Sequence, residues 1–174
     1  NQLKTKAKKK KKMEAEEAIK KEAFLAEFKE VIDTKLAFFE TQKKAAQKTA
    51  SGLQYAIYEK GKGKKPANGS TVYVHYAGFF ESGELFDSSK EDVSKAFGKF
   101  DQNRADAKAY TPFPFQYGNK TGLIPGFLEG LEKLNFGDKA ILFIPSQLGY
   151  GEAGAGGIIP PNSNLIFEIE LFEE

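Results

Sequence analysis

The sequence contains no cysteine, no tryptophan and a single histidine. Without cysteine there is no disulfide, no thiolate nucleophile, no iron–sulfur cluster and no cysteine-ligated zinc. The redox compartment stays open, because a cysteine-free chain is at home in either. One histidine, His75, excludes multi-histidine metal sites and leaves little for a Ser-His-Asp arrangement. No apolar run approaches the roughly 20 residues that cross a bilayer as a helix, so no membrane span is expected. The chain starts on polar, lysine-rich residues with no apolar signal-peptide segment, the pattern of a mature form or of a piece of something longer. Residues 1–50 lack both glycine and proline, although the chain holds 17 and 7 of them.

That last absence divides the chain. Residues 1–50 carry 14 Lys against 8 acidic residues, +6, and residues 51–174 carry −4. The first part is rich in Ala, Lys and Glu, all good helix formers. Leu25, Phe28, Ile32, Leu36 and Phe39 are spaced 3, 4, 4 and 3, a helical stripe that Phe24 and Val31 widen. Such a stripe needs a partner: its own domain, a second copy of the chain or an upstream domain. The run Lys8–Lys12 has no interleaved aromatics of the kind a single-strand binder uses, so it is read as a solvated helix end and no nucleic-acid partner is expected.

From Ser51 the texture turns to β. Leu53–Glu59, Thr71–Phe80, Phe113–Tyr117, Lys139–Ile144 and Leu165–Phe172 read as strands. Pro114 places the third of these at an edge. Along Thr71–Phe80, Val72, Val74 and Tyr76 face one way, Tyr73 and His75 the other. Glu81–Glu84 is a hairpin turn. One helix is expected, opened by Pro125 and ended by Gly137. About five antiparallel strands and one short helix make an α+β domain with the helix on one sheet face.

Three stretches carry a family resemblance: "VHYAGFFESGELFDSS" (74–89), "GLIPGFLEGL" (122–131) and "IPSQLGYGEAGAGGIIPPNSNLIFEIELF" (144–172). In this order they resemble an FKBP-type peptidyl-prolyl cis–trans isomerase over about 51–174, with 1–50 a lysine-rich helical extension or linker. The resemblance implies an antiparallel half-barrel sheet wrapped around one short helix, preceded by a long N-terminal helix. It implies rotation about Xaa–Pro bonds in assistance of protein folding. The alternative is an FKBP-like binding or chaperone module with little turnover. Carried over by residue, the catalytic groups are Asp87, Tyr150, Phe127 and the Ile124 backbone N–H. Tyr76, Phe86, Phe113, Leu123, Ile158, Ile159 and Phe167 bind substrate. Segment 151–157 becomes a flap over the pocket. No metal or cofactor is required, since no bond is broken. His75, pointing away from Tyr76, is expected to be a hydrogen-bonded structural residue.

The sequence departs from the family's compact members at 90–111, an insert whose Phe97, Phe100 and Tyr110 are expected at the pocket rim. Phe127 stands where many members have Trp, which predicts weak binding of macrolide inhibitors. The family resemblance implies proline-containing polypeptides as partners; the N-terminal helix resembles that of bacterial envelope members that dimerise through helices, and a tether to an upstream domain is the equal alternative. The sequence leaves the compartment unknown, with bacterial periplasm or envelope and cytoplasm both compatible with the resemblance.

Overall fold

Residues 1–174 are described by a computed structural model. The helix-forming first segment makes α1 (Gln2–Glu27) and α2 (Lys29–Ala45), parted by Phe28 alone. Phe28 sits at φ −101°, ψ 13°, in the sparsely allowed bridge region. The hydrogen-bond ladder nevertheless runs through it: Phe28 N–H donates to Phe24 and Ile32 N–H to Phe28. The long N-terminal helix is thus present, with an interruption that its uninterrupted periodicity does not announce.

The remainder supplies β1 (Gln47–Lys48), β2 (Gln54–Glu59), β3 (Thr71–Phe80), β4 (Leu85–Ser88), α3 (Glu91–Ala96), α4 (Gln102–Asp106), β5 (Phe113–Gln116), α5 (Pro125–Leu131), β6 (Lys139–Ile144) and β7 (Leu165–Phe172). One antiparallel sheet runs β1-β2-β6-β7-β3-β4, with β5 pairing the first half of β3 beside β4. Seven strands replace the five expected. β1 has two residues and β4 four, too short for alternation to show. β4 is the return limb of the hairpin that turns at Glu81–Glu84, and a bulge between Gly78 and Phe79 shifts its register.

Helix α5 ends at Leu131, not at Gly137. Lys133 and Leu134 donate to Gly130 and Leu131, tightening the chain out of the α-helical pattern. The turn beyond is held by the buried carboxylate of Asp138, which accepts from Asn135 N at 2.9 Å and Gly61 N at 2.8 Å. Gly137, at φ +88°, serves that turn.

Alternation along the strands gives the sheet two apolar faces. Val72 and Val74 of β3, Leu142 and Ile144 of β6, and Leu165, Phe167, Ile169 and Leu171 of β7 pack with Phe127 and Leu131 of α5. The intervening residues, Ala77, Phe79, Ile141, Phe143 and Ile166, form a second core with Ile32 and Phe39 of α2, Leu85 and Phe97. The α2 part of the helical stripe therefore finds its partner in the chain's own sheet, while Leu25 of α1 is exposed. Full burial of one such phenylalanine is worth about 1.5–3 kcal/mol, and Phe79, which touches the rings of Phe39 at 5.3 Å and Phe97 at 5.1 Å, has no exposed surface.

The outer face also carries charge. Glu168 and Glu170 alternate with the apolar residues of β7, yet they do not simply face water. Lys35 of α2 donates to Glu168 at 2.8 Å, and Lys90 donates to Glu170 at 3.0 Å. Tyr58 lies among these groups, its phenol pushed far up by burial and by Glu168 and Glu170. His75 shares this face, as its parity predicts. Its Nδ1 is 2.8 Å from Ser89 Oγ, and the Phe172 ring meets it edge-on at 5.7 Å.

Candidate active site

A cavity of about 680 Å³ opens between the concave sheet face, α5 and the chain that follows β4. Six aromatic residues line it, five of them in contact ring to ring. Phe167 of β7 meets Phe127 of α5 at 5.2 Å and 83°, and Phe86 of β4 at 5.5 Å and 89°. Phe113 of β5 meets Tyr76 of β3 at 5.7 Å and 65°. Edge-to-face contacts suit the ring quadrupoles, and they leave the space between the rings unfilled. Gly78 makes this arrangement sterically possible. A Cβ there would lie 2.5 Å from Phe86 Cζ and 2.8 Å from Phe167 Cε1.

The polar groups are few and fixed. Tyr76 donates its hydroxyl to Asp87 Oδ2 at 2.5 Å, and Arg104 Nη1 donates to Asp87 Oδ1 at 2.8 Å. Burial, reinforced by the bond to Asp87, pushes the Tyr76 phenol up to about 12, so it remains a donor at neutral pH. Asp87 is therefore not a free carboxylate at the rim; both oxygens are taken. The Asp87–Arg104 pair is partly exposed, side chains 44% and 27%, and such a pair adds little net stability. Its effect is to orient Tyr76 and to fix a dipole at the cavity mouth.

Ile124 and Tyr150 each present a donor with no acceptor within the protein. Ile124 caps α5 with its carbonyl, which accepts from Phe127 N at 3.0 Å and Leu128 N at 3.1 Å, while its own N–H has no acceptor. Pro125 at the first helical position lacks an N–H, so the Ile124 N–H is the donor presented ahead of the helix. Tyr150 follows the 3₁₀ turn Ser146–Leu148, and backbone bonds from Gly151 to Ser146 and from Asn162 to Gly151 hold it. Its side chain lines the cavity, and its hydroxyl is unpaired.

The cavity thus gathers Asp87, Tyr150, Phe127, Ile124, Tyr76, Phe86, Phe113, Leu123 and Phe167. It does not gather Ile158 or Ile159. Ile159 is buried in the inner core and Ile158 is 66% exposed. The segment folds back on itself instead: Ala155 and Ile159 exchange backbone hydrogen bonds of 2.9 and 3.0 Å, which turns adjacent side chains to opposite sides.

The insert differs from expectation more instructively. Phe97 is not at the rim; it is buried in the outer core against Phe79. Phe100 and Tyr110 stack on each other at 6.0 Å, and Arg104 lies over Tyr110 at 4.8 Å. What the insert brings to the cavity is Arg104, with Ala109 and Thr111 beside it. Sequence reasoning missed Arg104, although a signal existed. It is the sole arginine among 26 basic residues, and arginine is the side chain suited to fixed carboxylate pairing and ring stacking.

Comparison with known proteins agrees with this geometry. The chain is 39% identical over 132 residues to the FKBP-type 22 kDa peptidyl-prolyl cis-trans isomerase of Escherichia coli, covering 76% of this chain and 54% of that protein. It is 39% identical over 120 residues to FK506-binding protein 1 of Dictyostelium discoideum, covering 69% of this chain and 95% of that one. The chain spans about half the length of the E. coli relative. Its fold resembles the crystal structure of FkpA from E. coli with a TM-score of 0.56 at 31% identity, covering 94% of this chain and 70% of that one. It resembles AtFKBP13 with a TM-score of 0.58 at 31% identity, covering 74% and 97%. Residues 62–172 match the profile of the FKBP-type peptidyl-prolyl cis-trans isomerases, and with this match over an aromatic cavity built on that fold, the chain belongs to that family.

Proposed function

We propose that this protein accelerates cis–trans rotation about Xaa–Pro bonds of polypeptides in the cavity between β3, β7 and α5. The observation that carries the reading is the pairing of a hollow aromatic box with two unpaired donors, Ile124 N–H and Tyr150 O–H, at its edge. Peptide-bond rotation meets a barrier of roughly 18–20 kcal/mol because resonance resists twisting. The twisted transition state has less C–N double-bond character and a smaller dipole than the planar amide. An apolar box loses less by enclosing the twisted form than the planar one, which is differential binding. Phe127, Phe167, Tyr76, Phe86 and Phe113 hold the proline ring, and Leu123 extends the apolar edge.

Ile124 N–H and Tyr150 O–H anchor substrate carbonyls so that rotation proceeds around a fixed frame, in the manner of preorganised donors. The Asp87–Arg104 dipole sits at the mouth, where the flanking peptide enters. Catalysed exchange of a Leu-Pro or Phe-Pro peptide tests the reading. Acceleration by the intact chain and its loss in Tyr150→Ala and Asp87→Ala are expected. No acceleration by the intact chain would leave a binding module in its place.

Two finer readings follow. A macrolide inhibitor binds weakly here because the Phe127 floor is small and lacks an indole donor; Phe127→Trp is expected to strengthen binding in a titration. Contact with a second copy or an upstream domain uses α1 rather than the stripe of α2. Ile32 and Phe39 are buried on the chain's own sheet, whereas Leu3, Met13 and Ile19 of α1 are exposed. Sedimentation of the whole chain against one lacking residues 1–20 reads this directly.

A further inference from the structure

The insert between β4 and β5 has two ends that touch different things. At the cavity end, Arg104 holds Asp87 and stacks over Tyr110. At the other end, Gly98 is pressed into the break between α1 and α2. A Cβ on Gly98 would lie 2.5 Å from Phe28 Cε2 and 2.7 Å from Phe24 Cε2. Gly98 also takes φ +72°, a conformation that favours glycine. The Phe24 and Phe28 rings meet at 4.8 Å, and Lys99 Nζ lies 4.5 Å from the centre of the Phe24 ring.

Between these ends the insert is tied to itself. Lys99 N–H bonds Ser94 O at 2.8 Å. Asp101 caps α4 through Asn103 and Arg104 N–H, and its own N–H donates to the Tyr110 hydroxyl at 2.9 Å. Arg104 Nε donates to Ala109 O at 3.3 Å, which ties the arginine to the strand leading back to the cavity wall. A segment bonded this closely moves as a piece, so its seat on the helix constrains where Arg104 stands.

The geometry points to Phe24 and Phe28 as positioning residues for the substrate cavity: through Gly98 and the insert they set the place of Arg104 and of the wall beside it. The N-terminal helix is then a working part of the site, and whatever holds or moves α1 adjusts the cavity mouth. This rests on the isomerase reading only for its kinetic readout. The positional claim stands on the contacts themselves.

The test uses the full chain with Phe24→Ala/Phe28→Ala. The control is Phe38→Ala, on α2 but packed against Tyr58 at 5.2 Å, away from the insert. Peptide isomerisation of the double variant is expected to show KM raised about fivefold with kcat changed less than about twofold, the mark of lost uniform binding. Phe38→Ala should leave both constants in place, and Phe24→Leu/Phe28→Leu should restore most of the KM. In hydrogen exchange, the bonded amides of Lys99, Ala105, Ala107 and Ala109 should exchange at least about tenfold faster in the double variant, with those of β6 and β7 unchanged. Should the wild-type chain prove inactive, the exchange measurement still decides the positional claim. Unchanged exchange in the insert, or a KM shift equal to that of Phe38→Ala, overturns it.

Discussion

The two faces of one sheet meet opposite fates. On the outer face, α2 and Phe97 fill the space above Phe79, and lysines from α2 and from the start of the insert reach down to Glu168 and Glu170. On the inner face the helix is short, and the aromatic rings around it meet edge to face and leave a hollow. Both faces are apolar and alternate along the same strands. The difference lies in what covers them: the 17-residue α2 lies across one face, while seven residues of α5 cover only part of the other. Both faces bury a core, the inner one the larger, and the aromatic cavity lies where the inner face is left uncovered.

The strongest way to break this comparison is to open the closed face. Phe39→Ala removes a ring that is 4% exposed and packs on Phe79. The expected loss is about 3–5 kcal/mol in urea unfolding. In conditions where the variant stays folded, kcat should hold within about twofold. A parallel fall in turnover per folded molecule would mean that the two faces act as one unit.

The next largest effect comes from crowding the hollow face. Gly78→Ala places a methyl group against Phe86 and Phe167. Overpacking of this kind costs about 1–3 kcal/mol. Here the displaced rings have an empty cavity to enter, so substrate affinity should fall more than stability does. Peptide titration beside denaturant unfolding separates the two. A variant that lost stability and kept affinity would show that the rings relax away from the cavity instead.

These contrasts also explain what the sequence could and could not disclose. Thr71–Phe80 and Leu165–Phe172 are long enough for alternation to mark their faces, Lys139–Ile144 is a continuous apolar run buried on both sides, and the three carry most of the inner core and half of the outer one. The stripe from Leu25 to Phe39 shows its periodicity, yet only its α2 part, with Ile32 and Phe39 buried, is received by the sheet, and Leu25 stays exposed. Periodicity says nothing of which surface, and nothing of the break at Phe28, against which Gly98 of the insert lies. β1 and β4 are too short to alternate twice. Phe97 is drawn to the outer core because hydrophobicity does not specify a face without a register, and the insert has none. Arg104 was legible only as an oddity of composition, since its meaning depends on Asp87 and Tyr76 meeting it in space. Ile158 and Ile159 sit on a turn that parts neighbouring side chains, a property of the fold and not of the residues.

A finer probe of the open face is its free donor. Tyr150→Phe removes one hydroxyl and almost no volume. A single neutral hydrogen bond contributes about 1 kcal/mol, roughly fivefold in kcat/KM. Because the side chain is 40% exposed, stability should change by less than about 0.5 kcal/mol. A measurable loss of stability would assign Tyr150 to the fold instead of to the substrate.

The smallest effect is expected at His75, where the two faces come within one residue of each other. His75 faces Ser89, Phe172, Lys90, Asp92 and Glu170 on the outer side, while Tyr76 turns into the cavity. Burial, and next the Lys90 charge, lower the His75 pKa from 6.5, against a smaller opposing influence of Glu170 and Asp92. The folded chain therefore resists protonation more than the unfolded chain does. Its contribution to stability is full above about 6.5 and is lost as pH falls through the lower, folded value. With no other histidine present, the slope of stability from pH 7 down towards 5.5 should flatten in His75→Gln, read as the difference between two denaturation series. The kcat/KM profile over the same range should not follow it. If kcat/KM did track the histidine, protonation on the outer face would be reaching the cavity through the backbone between His75 and Tyr76, and the two faces would prove coupled at β3.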